Sequence, residues 1–328
     1  MPTFSKTRTA YFRSSNPIRS KSTSIAHTGL VASSRTCDTN GNKYLYFRCF
    51  AGFNDLLCGI NRALDYCVKH NRILLIDTLN SGLQVNFSDY FSFQRDDIIC
   101  DINKITEICS TDCTVYPAKL KGKMTDILNG TFPFKYKDRG KYLCCGAVVD
   151  IPYGKNIAET IIISCEAHGG NGYLLFKQLN IVDNDMKKIC NDRYNLLKTP
   201  YLCIQIRNTD YKCDYEQLYK DNKDLIHSYD SIYIATDDKN ALDFFRNKNL
   251  VVNNYATFPS GEYFNLHCSN INPRTKIIDM MSDVFIIAMS DKLISNSKGN
   301  FIKLAQNCRN NKIDVYNQFK ILNTDGTL

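Results

Sequence analysis

The sequence predicts an α/β fold built from two facing Rossmann-like domains, and two observations support this prediction. Near the start, an apolar strand at 44–49, a small glycine loop, an amphipathic helix at 54–70 and an apolar strand at 73–76 form a βαβ unit. After residue 200, short apolar runs alternate with helical patterns. Each half therefore has the pattern of a parallel sheet that is covered by helices.

The first half begins with its clearest elements. The helix from Asn54 to about His70 carries apolar residues at helical spacing, and residues 71–72 end it. Residues 80–160 are rich in aromatic residues and show no regular period. A further buried strand is predicted at 161–164 and a helix at 183–197. We place the domain boundary at 190–200, which gives an N-terminal domain at 41–195 and a C-terminal domain at 196–328.

The second half alternates regularly between the two kinds of element. Strands are predicted at 201–206, 231–235, 249–252 and 292–294, and helices at 215–227, 239–247, 276–290 and from Asn300 onward. The helix at 276–290 is apolar over most of its length.

Length and composition exclude several classes of protein. The 328 residues suit two domains of about 150 residues. The net charge of +8 is modest and lies partly in residues 1–40, so the chain lacks the basic patch of a nucleic-acid-binding protein. No run approaches the ~18 apolar residues of a membrane span. We expect residues 1–40, which are basic and rich in serine and threonine, to be a disordered tail; a transit peptide is the alternative.

Fifteen cysteines are scattered over apolar segments and loops without a CxxC pair. Their spacing does not match that of a zinc site. An odd number of dispersed cysteines is typical of reduced thiols, so we expect a cytoplasmic protein.

Polar groups follow three strands of the second half at the point where each strand ends. In open α/β sheets, ligands bind at the carboxyl ends of parallel strands. The three strand ends would bring together a cation, carboxylates, hydroxyl groups and a glycine turn, which are the groups that bind a nucleotide diphosphate. They contain Arg207/Asp210, Thr236/Asp237/Asp238 and Ser295/Asn296/Ser297.

Four blocks of the chain resemble the GDP-fucose-dependent fucosyltransferases. They are FAGFNDLLCGINRALDYCVKHNRILLIDT (50–78), IQIRNTD (204–210), IYIATDD (232–238) and DVFIIAMSDKLISNSKGNFIKLA (283–305). In the second block, Gln205 stands where the family has a histidine, and Asn208 where it has a second arginine. The resemblance implies a GT-B fold and an inverting transfer of fucose to a glycan hydroxyl, with GDP-fucose as co-substrate and without a metal or other cofactor.

The resemblance also implies roles for individual residues. Arg207 would neutralise the departing diphosphate, and Asp237 or Asp238 would accept hydrogen bonds from the guanine or the ribose. The turn before the last helix and the first glycine loop would approach the phosphates and the sugar. The predicted donor-binding residues are Gly52, Phe53, Asn54, Gln205, Asn208, Asp237, Asp238, Ser295, Asn296, Ser297 and Lys298.

Three further predictions concern the chemistry. Asp214 is the predicted general base, with Glu216 as the alternative in the same loop. His168, in the glycine-rich loop after strand 161–164, would contact the acceptor or the donor. The D-x-D at 183–185 could serve a metal-dependent transferase, but Asp183 stands at a helix start, where aspartate is a favoured cap.

Other functions stay open at this point. The donor could be a different nucleotide sugar, and the chain could be an inactive sugar- or nucleotide-binding protein of the same fold. An oxidoreductase is disfavoured because the first glycine loop lacks G-x-G-x-x-G.

Overall fold

The computed structural model describes residues 41–321 except 111, 112, 133, 138–140, 168, 211, 262, 264, 265, 267 and 268. The predicted tail at 1–40 lies outside the described residues. Within the described part, the chain has a mixed α/β architecture with two parallel sheets, one in each half.

The first half contains ten strands and five helices among its described residues. The strands are β1 (Tyr44–Arg48), β2 (Ile73–Asp77), β3 (Phe91–Phe93), β4 (Ile98–Ile99), β5 (Val115–Tyr116), β6 (Phe134–Tyr136), β7 (Tyr142–Cys144), β8 (Ala147–Val148), β9 (Ile161–Cys165) and β10 (Leu179–Ile181). The helices are α1 (Phe53–His70), α2 (Ile102–Cys109), α3 (Met124–Leu128), α4 (Tyr173–Phe176) and α5 (Asn184–Asn195).

A five-stranded parallel sheet forms the centre of this half, in the order β4-β2-β1-β9-β5. Strand β1 pairs with β2 in the register Tyr44↔Ile73 and with β9 in the register Tyr44↔Ile161. These central strands are continuous apolar runs because helices and loops cover both faces of the sheet. Helix α1 ends at Asn71, which adopts a left-handed conformation with φ of 48°.

The irregular segment at 80–160 contains more structure than its sequence suggested. Strand β3 pairs with β10, and β6, β7 and β8 form a small antiparallel sheet. These strands are two or three residues long, too short for a period of two to be visible in the sequence.

The described residues of the second half contain four parallel strands in the order β13-β12-β11-β14. They are β11 (Leu202–Ile206), β12 (Ile232–Thr236), β13 (Val252–Asn253) and β14 (Lys292–Ile294). The helices are α6 (Tyr215–Asp221), α7 (Lys223–His227), α8 (Lys239–Arg246), α9 (Pro273–Met289), α10 (Asn300–Asn310) and α11 (Lys312–Phe319). The strand order reverses between β11 and β14, and ligands bind at such a switch point in doubly wound folds.

Two predicted elements of the second half differ from the structure. The helix predicted at 215–227 is interrupted at Asn222, which leaves the helical conformation with φ of −121°. The strand predicted at 249–252 was wrong in position, since β13 covers Val252–Asn253. Asn249 has a positive φ of 56°, which is incompatible with a strand.

The main hydrophobic core extends from the first sheet to the C-terminal helices. Residues of β1 and α1 share one buried cluster with residues of α5, α9, α10 and α11. The second sheet has its own buried clusters on its two faces. Among the described helices, none is both long and apolar enough to cross a membrane.

Candidate functional site

A cleft of about 190 Å³ lies where the carboxyl ends of β11 and β12 face the loops that follow β1 and β2. Helix α9 and the first turn of α10 close it. Its lining therefore combines residues from both halves of the chain. It includes Gly52, Phe53, Gly82, Leu83, Gln205, Arg207, Thr236, Asp237, Thr257, Leu266, Ile271, Lys276, Asp279, Met280, Asp283 and Phe301.

Arg207 follows β11 and enters the cleft lining. Its Nε donates to Asp210 Oδ1 at 2.8 Å and its Nη2 donates to Asp210 Oδ2 at 2.6 Å. The side chain is 23% exposed. Asp210 therefore pairs with two nitrogens of the arginine that was predicted to neutralise the diphosphate. The pair fixes the direction of the guanidinium group, whose Nη1 lies beside Gly299.

The two aspartates after β12 hold the loop that carries Arg207. Asp237 accepts hydrogen bonds from the backbone N–H of Asn208 at 2.7 Å and from the hydroxyl of Thr209 at 2.6 Å. Burial raises the pKa of Asp237, and these two hydrogen bonds oppose that effect. Asp238 caps α8 through the N–H of Asn240 and also accepts from Asn208 Nδ2 at 2.6 Å. The hydrogen bonds to these two carboxylates therefore hold the 207–210 loop in its conformation.

Gln205 links β11 to the turn after β14. It is buried, and its Oε1 accepts a hydrogen bond from the hydroxyl of Ser295 at 2.8 Å. The Ser295 oxygen in turn accepts from the N–H of Ser297 at 3.1 Å. Because Gln205 also lines the cleft, its amide nitrogen is a candidate donor to a ligand there.

The first turns of two helices meet beside Arg207. Helices α1 and α10 have glycine caps, Gly52 and Gly299, neither of which provides a side-chain hydrogen bond. Asn300 Nδ2 donates to Asp55 Oδ1 at 2.7 Å and joins the two first turns. Uncapped N–H groups at helix starts attract anions, and Arg207 adds a positive charge at the same place.

Helix α9 contributes a mainly polar face to the cleft, which was not predicted from the sequence. Lys276, Asp279, Met280 and Asp283 lie on the face of α9 that lines the cleft. Asp283 accepts a hydrogen bond from the hydroxyl of Tyr233 at 2.6 Å, and burial raises the pKa of its carboxyl group to about 7. The spacing i, i+3, i+4, i+7 in a mainly apolar helix was the available signal.

Several predicted site residues form hydrogen bonds within the protein. Asn54 is buried, donates to the carbonyl of Gly170 at 3.3 Å and accepts from the N–H of Gly172 at 3.2 Å. Asp214 caps α6 through the N–H of Gln217 at 2.8 Å. Asn296 donates to the carbonyl of Asp214 at 2.9 Å and accepts from Cys213.

The remaining predicted site residues are Ser297, Lys298, Asn208 and His168. Ser297 accepts a hydrogen bond from the N–H of Gly299, and Lys298 is exposed. Asn208 accepts from the N–H of Cys213 in addition to its bond to Asp238. His168 lies outside the described residues.

The D-x-D at 183–185 forms ion pairs. Asp183 caps α5, and Arg274 binds both Asp183, at 2.8 Å, and Asp185, at 3.6 Å. Both carboxylates of this motif therefore face a guanidinium group.

The contact between Gly299 and Arg207 gives a first testable prediction. A Cβ atom at Gly299 would lie 3.3 Å from Arg207 Cδ and 3.5 Å from Nη1. The φ of −69° suits alanine, so we expect Gly299→Ala to keep the melting temperature and to lower ligand-dependent activity about tenfold by displacing Arg207. Thermal unfolding and turnover measurements check this prediction. Gly154→Ala is the contrasting variant, because a Cβ there meets open space but φ is +80°. That variant should lose stability and keep activity.

Comparison with known proteins identifies the fold. The sequence matches no protein-family model and no curated protein. The NodZ alpha-1,6-fucosyltransferase soaked with GDP-fucose is 13% identical with a TM-score of 0.55, and the match covers 81% of this chain and 92% of NodZ. NodZ co-crystallized with GDP is 14% identical with a TM-score of 0.55 and the same coverage. Fucosyltransferase NodZ from Bradyrhizobium is 13% identical with a TM-score of 0.54, covering 81% of this chain and 93% of the other. The resemblance to the fucosyltransferases is therefore confirmed at the level of the fold.

Proposed function

We propose that this chain, which shares the fold of NodZ, is an inverting, metal-independent glycosyltransferase of GT-B architecture. It transfers L-fucose from GDP-fucose to a hydroxyl group of a glycan. The observation that carries the proposal is the cleft at the switch point of the second sheet, where Arg207 and the starts of α1 and α10 meet. Solved structures of NodZ with GDP and with GDP-fucose support the choice of donor.

The diphosphate of the donor binds beside Arg207 and the first turns of α1 and α10. When the bond between the sugar and the β-phosphate breaks, negative charge grows on the phosphate. A preoriented guanidinium group and backbone N–H groups stabilise that charge without having to reorganise. The ion pair with Asp210 supplies the orientation and leaves Nη1 directed toward Gly299. These groups perform the role for which other glycosyltransferases use a divalent cation.

The base of the nucleotide occupies the part of the cleft between α9 and the loop after β13. Leu266, Ile271 and Met280 provide apolar surface for a planar ring. Asp283 lies on the same wall, and its carboxylate suits two adjacent N–H donors such as those of guanine. Uracil and thymine each offer one such N–H, so this carboxylate favours GDP over UDP or dTDP.

The acceptor glycan binds on the first-half side of the cleft. In a GT-B enzyme the residues 41–195 and 196–328 form the two domains, and the first one carries the acceptor. Gly82 and Leu83 line this side of the cleft, as does Phe53, whose neighbour Asn54 contacts the glycine-rich loop at Gly170 and Gly172.

The turnover of GDP-fucose tests the proposal. We expect slow release of GDP without an acceptor, faster release with an acceptor glycan, and no loss of either rate in EDTA. The proton spectrum of the product should show inversion at the anomeric carbon. Activity that disappears in EDTA and returns with Mn²⁺ would contradict the metal-independent mechanism, and retention would contradict the inverting one.

A second candidate is a GDP-sugar-binding protein without catalysis. The observation that favours it is the pairing of Arg207 Nε and Nη2 with the two carboxylate oxygens of Asp210. Such a protein would be stabilised by GDP-fucose and would release no GDP from it, whereas a transferase would be stabilised by GDP-fucose and would also release GDP.

A further inference from the structure

Two walls enclose the part of the cleft that we assign to the base of the nucleotide. Helix α9 contributes Asp279, Met280 and Asp283 to one wall, and the loop after β13 contributes Ala256 and Thr257 to the other. The two walls are in contact, because Asp279 Oδ2 accepts a hydrogen bond from the N–H of Thr257 at 2.8 Å. The distance between the walls therefore depends on where this carboxylate is held.

Arg193 holds the Asp279 carboxylate from outside the cleft. It belongs to α5 and is not one of the residues that line the cleft. Its Nη1 donates to Asp279 Oδ1 at 2.8 Å and to the hydroxyl of Ser282, also on α9, at 2.9 Å. The side chains of Arg193 and Asp279 are 22% and 11% exposed, so solvent and salt screen this ion pair less than a surface pair.

The same guanidinium group also contacts the opposite wall. The Arg193 Cζ atom lies 5.4 Å from the centre of the Tyr255 ring, in the loop after β13. A guanidinium group at this distance is attracted to the face of an aromatic ring. Since Tyr255 stands two residues before Thr257, one planar cation contacts both α9 and the loop that faces it across the slot for the base.

This set of contacts extends to the carboxylate that we assign to the base. The Tyr255 ring lies 5.8 Å from the ring of Tyr233, whose hydroxyl donates to Asp283 Oδ1 at 2.6 Å. Asp283 follows Asp279 by about one turn of α9. A displacement of either wall would therefore change the position of Asp283 relative to the base, and binding sites tolerate displacements of only about 0.5 Å.

We propose that Arg193 is a positioning residue for nucleotide binding, which fixes the distance between α9 and the loop after β13, an inference that rests on the proposed function. The alternative is an ion pair that only packs α5 against α9. A positioning residue affects the binding of the base in the ground state and in the transition state alike. It should therefore change the KM for GDP-fucose and leave kcat unchanged, because the bond to the sugar breaks at the diphosphate beside Arg207.

The test replaces Arg193 with methionine, which keeps an unbranched side chain and removes the guanidinium group. We expect the Kd for GDP and the KM for GDP-fucose to rise about tenfold or more, with kcat unchanged within about twofold. Inorganic pyrophosphate has no base, so its affinity, measured by competition with GDP, should stay within about twofold of the wild-type value. Arg193→Lys keeps a charge for Asp279 but lacks the planar group, so its Kd for GDP should rise only about threefold.

Arg274→Met is the matched control for the packing of α5 against α9. Arg274 lies in the first turn of α9 and binds Asp183, the cap of α5, at 2.8 Å, and its Cζ lies 5.7 Å from the centre of the Tyr90 ring. It is not one of the residues that line the cleft. This variant should therefore keep the wild-type Kd for GDP and the wild-type KM for GDP-fucose.

All affinities are measured at a temperature at which every variant is folded. If Arg193→Met raises the Kd for GDP no more than Arg274→Met does, or if pyrophosphate binding weakens as much as GDP binding, the assignment is overturned while the proposed function stands. If Arg193→Met does not fold, Arg193→Lys decides, and an unchanged Kd for GDP in that variant overturns the assignment. If the wild-type protein binds no GDP, the proposed function itself fails, and the assignment fails with it.

Discussion

Replacing Arg207 with lysine should lower the turnover of GDP-fucose by about a hundredfold or more. Lysine keeps the positive charge but cannot pair with Asp210 through two nitrogens and present a third toward Gly299. The loss corresponds to about 3 kcal/mol of transition-state stabilisation, the scale for one preorganised oxyanion donor. Affinity for GDP should fall less, because the charge on the phosphate grows as the bond breaks.

Steady-state turnover and calorimetric titration with GDP measure the two effects separately. Arg95→Lys is a matched control, because Arg95 pairs with Asp97 through Nε at 2.8 Å and Nη2 at 2.6 Å, the same geometry as the Arg207–Asp210 pair. That pair does not line the cleft. If Arg207→Lys behaved like Arg95→Lys, Arg207 would be only a structural brace of its loop.

Replacing Asp283 with asparagine should weaken GDP binding by about a hundredfold. The variant loses a buried carboxylate that accepts from two N–H groups, and its amide N–H₂ would face one of those donors. In the wild-type protein the carboxylate must be ionised to bind the base. Because its pKa is about 7, GDP affinity should be about tenfold lower at pH 6 than at pH 8, and Asp283→Asn should lose this dependence.

The same substitution should stabilise the empty protein at alkaline pH. The folded state retains the Asp283 proton up to a pH of about 7, whereas the unfolded state releases it near pH 4. The free energy of unfolding therefore falls as the pH rises from about 4 to 7, and asparagine removes this loss. We expect Asp283→Asn to melt several degrees above the wild type at pH 8 and at the same temperature near pH 4. A melting temperature below that of the wild type at pH 8 would show that the ionised carboxylate is not a cost to the fold.

The central strands of the two parallel sheets and the main helices could be predicted from the sequence because their signal is local. Residues 202–206 and 232–236 are mainly apolar and β-branched runs, and α1 shows a clear helical period. The position of Arg207 and Asp237 at one edge followed from a general rule, since parallel strands end at the same edge.

What each polar side chain contacts could not be predicted in this way. Asn54 binds a loop more than a hundred residues further along the chain, and Asp55 meets Asn300 across 245 positions. The buried pair of Arg48 with Asp77, at 2.5 Å, joins the ends of β1 and β2 and also carries no signal in the sequence. Such partners depend on the packing of distant segments. The sequence therefore identified the edge of the sheet that bears the site but not the role of each residue there.

The most direct measurement of the central claim is a calorimetric titration of the wild-type protein with GDP-fucose, with UDP-glucose and dTDP-rhamnose as comparisons. The proposed site predicts one GDP-fucose per chain, binding that survives EDTA, and at least about tenfold weaker binding of the other two. Equal binding of all three nucleotide sugars would contradict the assignment of Asp283, and no binding of GDP-fucose would contradict the account as a whole.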